Sequence, residues 1–267
     1  MAADACVDWA GVAHAPAGAS PRIASLVPSL TELLFALGLG ACVVARTGFC
    51  VHPDAARKVP KVGGTKDPDL ARLRELAPTH LVVNVDENRQ DVVAAAREFV
   101  PHVIVTHPMG PADNPRLHAL FGAVFGRERE AGALSAEFAR AHADALRVTR
   151  ALPRERVLYV IWREPWMTVA RDTYVSATVA CVGWDTVPAM ASARYPALAD
   201  DDDAWRDAQR ILLSTEPFAF RARDAAALAA GTGKPVQLVD GEWTSWYGAR
   251  AGEGLRALAS LRAALGA

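Results

Sequence analysis

The chain has 267 residues, of which 51% are apolar, so it can bury one large core or two smaller ones. With 29 basic and 30 acidic residues its net charge is −1, which argues against nucleic acid or another polyanion as a partner. No apolar run reaches the roughly 18 residues that a membrane span needs. The four cysteines form no CxxC pair, which favours free buried thiols, although Cys42 and Cys50 are near enough in sequence to bridge.

Residues 1–21 are predicted to form a flexible N-terminal lead-in. They include Asp4, Asp8 and Trp9 and lack the basic start and apolar core of an export signal. As written, the sequence therefore predicts a cytoplasmic chain, or one whose signal has been removed.

Residues 22–114 alternate between strand and helix patterns and are predicted to form an N-terminal α/β lobe. The first helix follows Pro28, where Ser29 and Glu32 have the spacing of an N-cap and its capping box. The alternation predicts a mostly parallel sheet. Its strands are expected at 22–27, 41–46, 79–84 and 102–106.

Residues 115–152 are predicted to be a helical linker. Pro115–Phe125 has apolar residues at helical spacing, and Arg127–Arg150 is rich in alanine, which favours a long helix. At about 1.5 Å per residue the second helix would be about 36 Å long, so we expect a stiff connection between two lobes. The alternative is an ordinary surface helix of one larger domain.

Residues 153–267 repeat the alternation and are predicted to form a C-terminal α/β lobe. A loop is expected over Gly241–Arg250, before the closing helix at Gly254–Leu265. The strands are expected at 156–161, 167–170, 184–187, 210–214 and 236–239, and the other helices at 174–182, 204–208 and 223–230.

Several segments resemble the class III substrate-binding proteins of ABC importers, also called helical-backbone metal receptors. The opening Arg22–Gly38, the segment Val59–Leu70 and the strand region Leu76–Val83 are similar to three signatures of that family. The similarity runs from about Arg22 to the C-terminus. Further short motifs resemble a vitamin B12 (cobalamin)-binding subgroup: Glu87–Arg89, Trp162–Trp166, Arg194–Pro196, Ser214–Phe218 and Ser245–Gly248.

The resemblance implies an α/β fold of two lobes with mostly parallel sheets, joined by one long rigid helix, with a ligand cleft between the lobes. It implies a monomeric, non-catalytic and periplasmic binding protein that carries a corrinoid, or a metal chelate such as a siderophore or haem, to an ABC importer. The B12 binders place a tyrosine near Phe49 and tryptophans near Thr65 and Ala197, which this chain lacks. A smaller corrinoid, a siderophore and a haem-like chelate therefore stay open as ligands.

Loops that follow strands are expected to supply the ligand contacts. Aromatic rings there offer flat contact area for a corrin or aryl chelate, and Arg250 suits an acidic or amide group of the ligand. Trp162 and Trp166 have packing of their lobe as an alternative role, whereas Gly248 suggests that Trp246 and Tyr247 lie in an exposed turn. The predicted ligand-binding residues are Pro28, Ser29, Phe49, His52, Gly64, Thr65, Trp162, Trp166, Tyr195, Trp243, Trp246, Tyr247 and Arg250.

The resemblance also implies that an acidic residue on each lobe meets arginines of a permease, and Glu87 and Asp224 are the candidates. The histidines are scattered without an HxH or HxxxH pair, so no resident metal site or cofactor is predicted. No GxSxG, P-loop, GxGxxG or HExxH motif is present, which makes an enzyme the third choice. The second choice is a cytoplasmic protein of the same fold that binds or delivers a corrinoid or metal chelate.

Overall fold

A computed structural model describes residues 6–266 of the chain. These residues group into two compact units. The first unit holds the chain up to Pro108, residues 113–138 and residues 247–250, and the second unit holds the rest. Within residues 6–266, no helix combines the length and apolar character needed to cross a membrane.

A four-stranded parallel sheet forms the centre of the first unit, in the order β2-β1-β3-β4. This confirms the parallel sheet predicted from the alternating pattern. The strands are β1 (Ile23–Ser25), β2 (Val43–Arg46), β3 (His80–Asn84) and β4 (His102–Thr106). The helices are α1 (Pro28–Ala36), α2 (Leu70–Glu75), α3 (Gln90–Arg97) and α4 (Asn114–Phe125), with short 3₁₀ turns at Gly40–Cys42, Asp54–Lys58 and Pro111–Asp113.

Helix α1 begins two residues earlier than the capping-box pattern predicts. Pro28 occupies the first turn and Val27 precedes it as N-cap, without a side-chain hydrogen bond. Proline suits this position because its fixed φ is already helical and its missing N–H would have had no partner. Ser29 is therefore buried inside the helix, and its assignment as N-cap was wrong.

One face of this sheet carries the core of the first unit. Leu26, Leu73, Leu81 and Val83 are at most 1% exposed and belong to one apolar cluster. Helices α2 and α3 are in contact with each other and cover it with Leu70, Leu76 and Val93. Strand β3 is buried at all five positions rather than alternating, as is typical of a central parallel strand.

Helix α5 (Glu128–Thr149) is 22 residues long and confirms the predicted long helix. Its residues up to Phe138 group with the first unit and those from Ala139 with the second. Buried residues fall on one side of the helix at helical spacing, with Ala131, Phe138 and Ala141 each at most 5% exposed.

The second unit contains a mixed six-stranded sheet in the order β10-β9-β5-β6-β8, with β7 also paired to β5. Strand β6 runs antiparallel to β5 and to β8. Strands β7 and β9 each pair in parallel with β5, and β10 pairs in parallel with β9. The strands are β5 (Glu155–Trp162), β6 (Trp166–Thr168), β7 (Trp184–Thr186), β8 (Ala197–Leu198), β9 (Arg210–Ser214) and β10 (Val236–Val239). The helices are α6 (Tyr174–Ala180), α7 (Asp203–Asp207), α8 (Ala222–Thr232), α9 (Gly241–Ser245) and α10 (Ala251–Gly266).

The segment predicted as a loop over Gly241–Arg250 begins with helix α9, so the loop prediction was wrong over Gly241–Ser245. The Asp240 carboxylate accepts a hydrogen bond from the Glu242 amide and caps this helix. An aspartate at this position is a sequence signal for a helix start.

The predicted lead-in carries buried side chains in its described part. Asp8 is 1% exposed, and the Trp9 amide donates to the Val105 carbonyl of β4 at 3.0 Å. Residues 1–5 and 267, including Asp4, lie outside the described residues. All four cysteines are free, as predicted, but only Cys50 is buried, so the prediction of buried thiols was wrong for Cys6, Cys42 and Cys181.

Candidate ligand-binding site

The carboxyl ends of β1, β2 and β3 lie on one edge of the parallel sheet of the first unit. Ligands of open α/β sheets commonly bind at such an edge. Six of the predicted residues follow these strands or the turn beside them: Pro28, Ser29, Phe49, His52, Gly64 and Thr65. We call this surface the first carboxyl edge.

Asn88 ties the segments of the first carboxyl edge together. Its side-chain amide donates to the Leu26 carbonyl at 3.2 Å and to the Thr65 carbonyl at 2.9 Å. Its side-chain oxygen accepts from the Asn84 amide at 2.9 Å, and the residue is only 6% exposed. The end of β1 and the turn at Thr65 are thus held by one buried side chain.

Two close backbone approaches shape the same edge. The Gly48 amide donates to the Gly63 carbonyl at 2.7 Å. Gly63 has φ +96°, and a Cβ there would lie 2.8 Å from the Asp67 carbonyl oxygen, so only glycine fits without strain.

Phe49 presents an apolar ring at this edge. It is 63% exposed, although aromatic side chains this large are normally buried. A Cβ built on Gly64 would lie 3.7 Å from the ring, so the ring lies beside the bare backbone of that turn. His52 follows in the same loop and is half-buried.

Tyr247 groups with the first unit, although its loop was expected in the second lobe. Its hydroxyl donates to a Glu87 carboxylate oxygen at 2.7 Å, and the residue is 5% exposed. Burial raises the pKa of Tyr247 well above its usual range, and the Glu87 charge raises it further. The exposed turn predicted from Gly248 was therefore wrong, because the Gly248 amide donates to the buried Asn114 side chain at 2.6 Å.

Arg250 also groups with the first unit and pairs with Glu32. Its Nε and Nη2 donate to the two carboxylate oxygens at 3.0 and 2.8 Å. This bidentate pair satisfies the charge of Arg250 inside the protein. A contact of Arg250 with a ligand stays a prediction.

Two carboxylates, Asp86 and Glu87, follow β3 at this edge. Asp86 lies 3.6 Å from His107, and Glu87 accepts from Tyr247. Burial raises the pKa of the nearby Cys50 thiol, and Glu87 acts in the same direction, so this thiol is neutral and unreactive near pH 7.

The corresponding edge of the second unit is formed where β9 and β10 end. The Tyr159 hydroxyl lies 3.1 Å from Ser214 Oγ and 2.5 Å from Thr244 Oγ1. Burial raises the pKa of Tyr159 to about 12. Gly241 permits the close approach of α9, since a Cβ there would lie 2.8 Å from the Glu216 amide nitrogen. We call this surface the second carboxyl edge.

Trp246 belongs to the second carboxyl edge and is only 6% exposed. Its indole Nε1 donates to a Glu216 carboxylate oxygen at 3.1 Å. The ring is therefore not in an exposed turn, and that prediction was wrong for Trp246 as well.

The tryptophans of the β5–β6 hairpin differ in exposure. Trp162 is 39% exposed and meets Phe218 edge-on at 5.5 Å between ring centroids. Trp166 is stacked on Phe220 at 6.2 Å and meets Trp205 edge-on at 5.6 Å. Trp166 thus packs against other rings of the second unit, which is the alternative role predicted for it. Trp162 keeps an accessible face.

A cavity of about 400 Å³ opens beside this hairpin. Trp166 lies in its wall, and the Arg163 guanidinium lies 5.8 Å from the centre of that ring. The lining residues are Arg163, Glu164, Pro165, Trp166, Leu198, Ala199 and Asp200.

Two further predicted residues are half-buried in the second unit. The Arg194 guanidinium lies 6.0 Å from the Tyr195 ring, and its Nε donates to the Asp172 carbonyl at 2.9 Å. Trp243 lies against Gly254, where a Cβ would approach the Trp243 carbonyl oxygen to 2.5 Å. The backbone of Trp243 therefore helps to pack α9 against α10.

The two predicted docking acids both have partners within their own unit. Glu87 accepts from Tyr247, and the Asp224 carboxylate accepts from the Arg221 amide at 2.8 Å and lies 3.7 Å from Arg163. Asp224 thus completes a capping box at the start of α8. A docking role for either residue stays a prediction.

The structure adds residues that the sequence patterns did not single out. Asn88 lies in the recognised Glu87–Arg89 motif, but its buried contacts join segments distant in sequence. Glu32 was predicted only as part of a capping box and Glu216 only within the Ser214–Phe218 motif, yet Glu32 accepts a hydrogen bond from Arg250 and Glu216 accepts one from Trp246. Within residues 6–266, no group of three or more histidine, cysteine, aspartate or glutamate side chains is arranged to hold a metal ion.

This fold and these two edges define a periplasmic-binding-protein type of molecule. A periplasmic binding protein family model matches residues 23–208, and the chain belongs to that family. The chain is 25% identical over 195 residues to a vitamin B12-binding protein of Vibrio vulnificus, covering 72% of this chain and 71% of that protein.

Solved structures share the fold. The periplasmic vitamin B12-binding protein BtuF of Vibrio cholerae has a TM-score of 0.78 at 18% identity, covering 91% of this chain and 96% of that one. The periplasmic heme-binding protein RhuT from Roseiflexus sp. RS-1 has a TM-score of 0.78 at 21% identity, covering 93% and 100%. The predicted resemblance and the two-lobe α/β fold class are confirmed, and the family supports a binding protein rather than an enzyme.

Proposed function

We propose that this protein is a substrate-binding component that holds a corrinoid, or another flat metal chelate such as haem or a siderophore, for an ABC importer. The family and the B12- and heme-binding names of its relatives support this class of ligand. The observation that carries the proposal is the exposed Phe49 ring beside Gly64 at the first carboxyl edge.

The chemistry of the first carboxyl edge suits a flat ligand with hydrogen-bonding substituents. Phe49 offers a ring face, and Gly64 beside it lets a ligand approach the backbone closely. Asp86 provides an acceptor for amide or hydroxyl donors on the rim of such a ligand. A few polar groups around an apolar contact surface are typical of small-molecule sites.

In the second unit Trp162 is the predicted residue that best fits a ligand contact, since 39% of it is exposed. Trp166 and Trp246 stabilise the second unit rather than contact the ligand, because Trp166 is stacked on Phe220 and Trp246 is hydrogen-bonded to Glu216. We assign permease docking to surfaces that include Glu87 and Asp224 as a further part of the proposal.

Titration of the purified chain with cyanocobalamin, cobinamide, haem and a ferric siderophore tests the proposal. We expect quenching of tryptophan fluorescence by at least one of these at micromolar concentration, because corrinoids and haem absorb light at the wavelengths where tryptophan emits. Equilibrium dialysis with the same compounds separates binding from optical absorption. Absence of binding to all four in dialysis would overturn the proposed ligand class.

A further inference from the structure

Lysine is rare in this chain and is concentrated near the first carboxyl edge. The chain has 29 basic residues, but its only lysines are Lys58, Lys61, Lys66 and Lys234. The first three fall within residues 58–66, the segment that also carries the Gly64 turn. Lys61 and Lys66 are both exposed, so their ammonium groups are charged near pH 7 and accessible to a ligand.

The backbone fixes Lys61 beside the end of β2. Lys61 pairs with Arg46 in a parallel bridge, and the Val62 amide donates to the Arg46 carbonyl at 2.9 Å. The stem of Lys61 passes over Gly48, where a Cβ would lie 3.3 Å from Lys61 Cδ. Because Phe49 is the next residue, this stem runs beside the backbone that carries the exposed ring.

Lys66 brings a second ammonium group to the same edge. Its Nζ donates to the Asp86 carbonyl, in the segment after β3, at 3.0 Å. An ammonium group has three donors, so two of them remain for a ligand. Lys66 follows two residues after Gly64, the position that lies beside the Phe49 ring. The exposed ring therefore has lysines on two segments that border it.

The acidic side chains near these lysines have other partners. Asp67 is paired with Arg89 at 3.2 Å, and the Asp86 carboxylate lies 3.6 Å from His107. The Glu87 carboxylate accepts a hydrogen bond from a tyrosine hydroxyl. Neither lysine is paired with a carboxylate among residues 6–266. Both ammonium charges are thus available to an anionic group of a ligand.

We propose that Lys61 and Lys66 select a flat chelate whose rim carries carboxylate groups, as haem does, over one whose rim carries amides. This inference rests on the proposed function and names the ligand class of the same surface. Hydrogen bonds between an ammonium and a carboxylate are stronger than those between neutral groups. The flexible lysine stem also lets the charge follow a carboxylate on a short arm. Phe49 contacts the flat face, and the two lysines bind the rim.

The expected size of the effect is set by the exposure of the two lysines. Exposed ion pairs contribute modestly, so each lysine should strengthen carboxylate binding by up to about fivefold and the two together by about tenfold. Added salt screens exposed charges, so the preference for carboxylates should shrink as the ionic strength rises.

Equilibrium dialysis of the full chain against ferric haem and its dimethyl ester, in one buffer with mild detergent, tests this selection. Esterification removes the carboxylate charges and leaves the ring and the iron in place. We expect haem to bind about tenfold tighter than the ester at low salt and the difference to shrink in about 0.5 M salt. Equal affinities, or tighter binding of the ester, would overturn the inference.

A double variant, Lys61→Gln with Lys66→Gln, assigns the selection to these residues. It should bind haem about tenfold more weakly and the ester within about twofold of wild type. Arg223→Gln removes the same charge from an exposed position in the second unit and is the matched control, with wild-type affinity for both compounds. Wild-type haem affinity in the double variant, or an equal loss for haem and ester, would overturn carboxylate recognition by the lysines.

Cyanocobalamin and cobinamide separate this inference from the proposed function. Both carry amides around the corrin ring, so we expect them to bind more weakly than haem. If either binds more tightly than haem, the carboxylate preference is wrong and the proposed function stands. If haem, both corrinoids and the ferric siderophore all fail to bind the wild-type chain, the proposed function fails and this inference fails with it.

Discussion

The two carboxyl edges are stabilised by different kinds of contact. The first carboxyl edge is held by backbone and amide contacts around Asn88 and Gly63, and it leaves Phe49 exposed. The second carboxyl edge is held by hydroxyl and ring contacts, in which Tyr159 and Trp246 are engaged with neighbours.

The difference teaches that a loop rich in aromatic residues need not be the ligand surface. Most rings of the second unit are used for packing, while the first unit exposes one large ring beside glycine backbone. Rings in contact with each other bury apolar area during folding and cannot bury the same area again on a ligand. We therefore place the main ligand contact at the first carboxyl edge.

The largest expected effect is on stability in the second unit. Trp166→Ala should lower the free energy of unfolding by about 3 kcal/mol, since it removes the stack on Phe220 and the edge contact with Trp205. Urea denaturation measures this change. Trp162→Ala, at a ring with an accessible face, is the control and should cost less than about 1.5 kcal/mol. Equal losses for the two variants would contradict the division into packing and exposed rings.

The second prediction concerns alkaline pH. The folded protein holds Tyr159 neutral up to a pKa of about 12, whereas an unfolded chain releases that proton near its ordinary pKa of about 10. Stability is thus full below about pH 10 and declines as the pH rises toward 12, by up to about 2.7 kcal/mol. Tyr247 acts in the same direction.

Urea denaturation at about pH 8, 10 and 11 measures this decline. Tyr159→Phe starts from a lower stability, because the Ser214 and Thr244 hydroxyls lose a partner, but its stability should depend less on alkaline pH. A wild-type protein equally stable at all three pH values would contradict the buried hydroxyl cluster.

The third prediction returns to the first carboxyl edge. Asn88→Ala should lower the free energy of unfolding by about 2 kcal/mol, because it leaves the Asn84 amide and the Leu26 and Thr65 carbonyls without a buried partner. Gln90→Ala, at an exposed position in the same region, should change stability by less than about 0.5 kcal/mol. If Asn88→Ala lowers the free energy of unfolding no more than Gln90→Ala does, the buried hydrogen bonds of Asn88 do not hold the first carboxyl edge together.

Much of the fold could be predicted from the sequence. The strands His102–Thr106, Arg210–Ser214 and Val236–Val239 have the predicted bounds, since each is a short apolar run between turn residues. The long helix was readable from its alanine content. The start of α1 was misplaced because Ser29 fits a cap pattern, while Pro28 before it fixes the first turn.

The site was predicted less completely, for a physical reason. Tyr247 and Glu87 meet across 160 positions of sequence, and Arg250 and Glu32 across 218. Short patterns report local periodicity and caps, but they carry no information on which distant side chains pair. The exposed position of Phe49 and the buried position of Trp246 are likewise set by tertiary packing.

The most direct test of the account is the ligand affinity of Phe49→Ala, measured with whichever chelate binds the wild-type chain. We expect a loss of at least tenfold, equal to about 1.4 kcal/mol, with unchanged unfolding, because an exposed ring adds little to the core. Met190→Ala, at a residue that is 90% exposed in the second unit, is the matched control and should keep wild-type affinity. Wild-type affinity in Phe49→Ala would contradict a ligand surface at the first carboxyl edge.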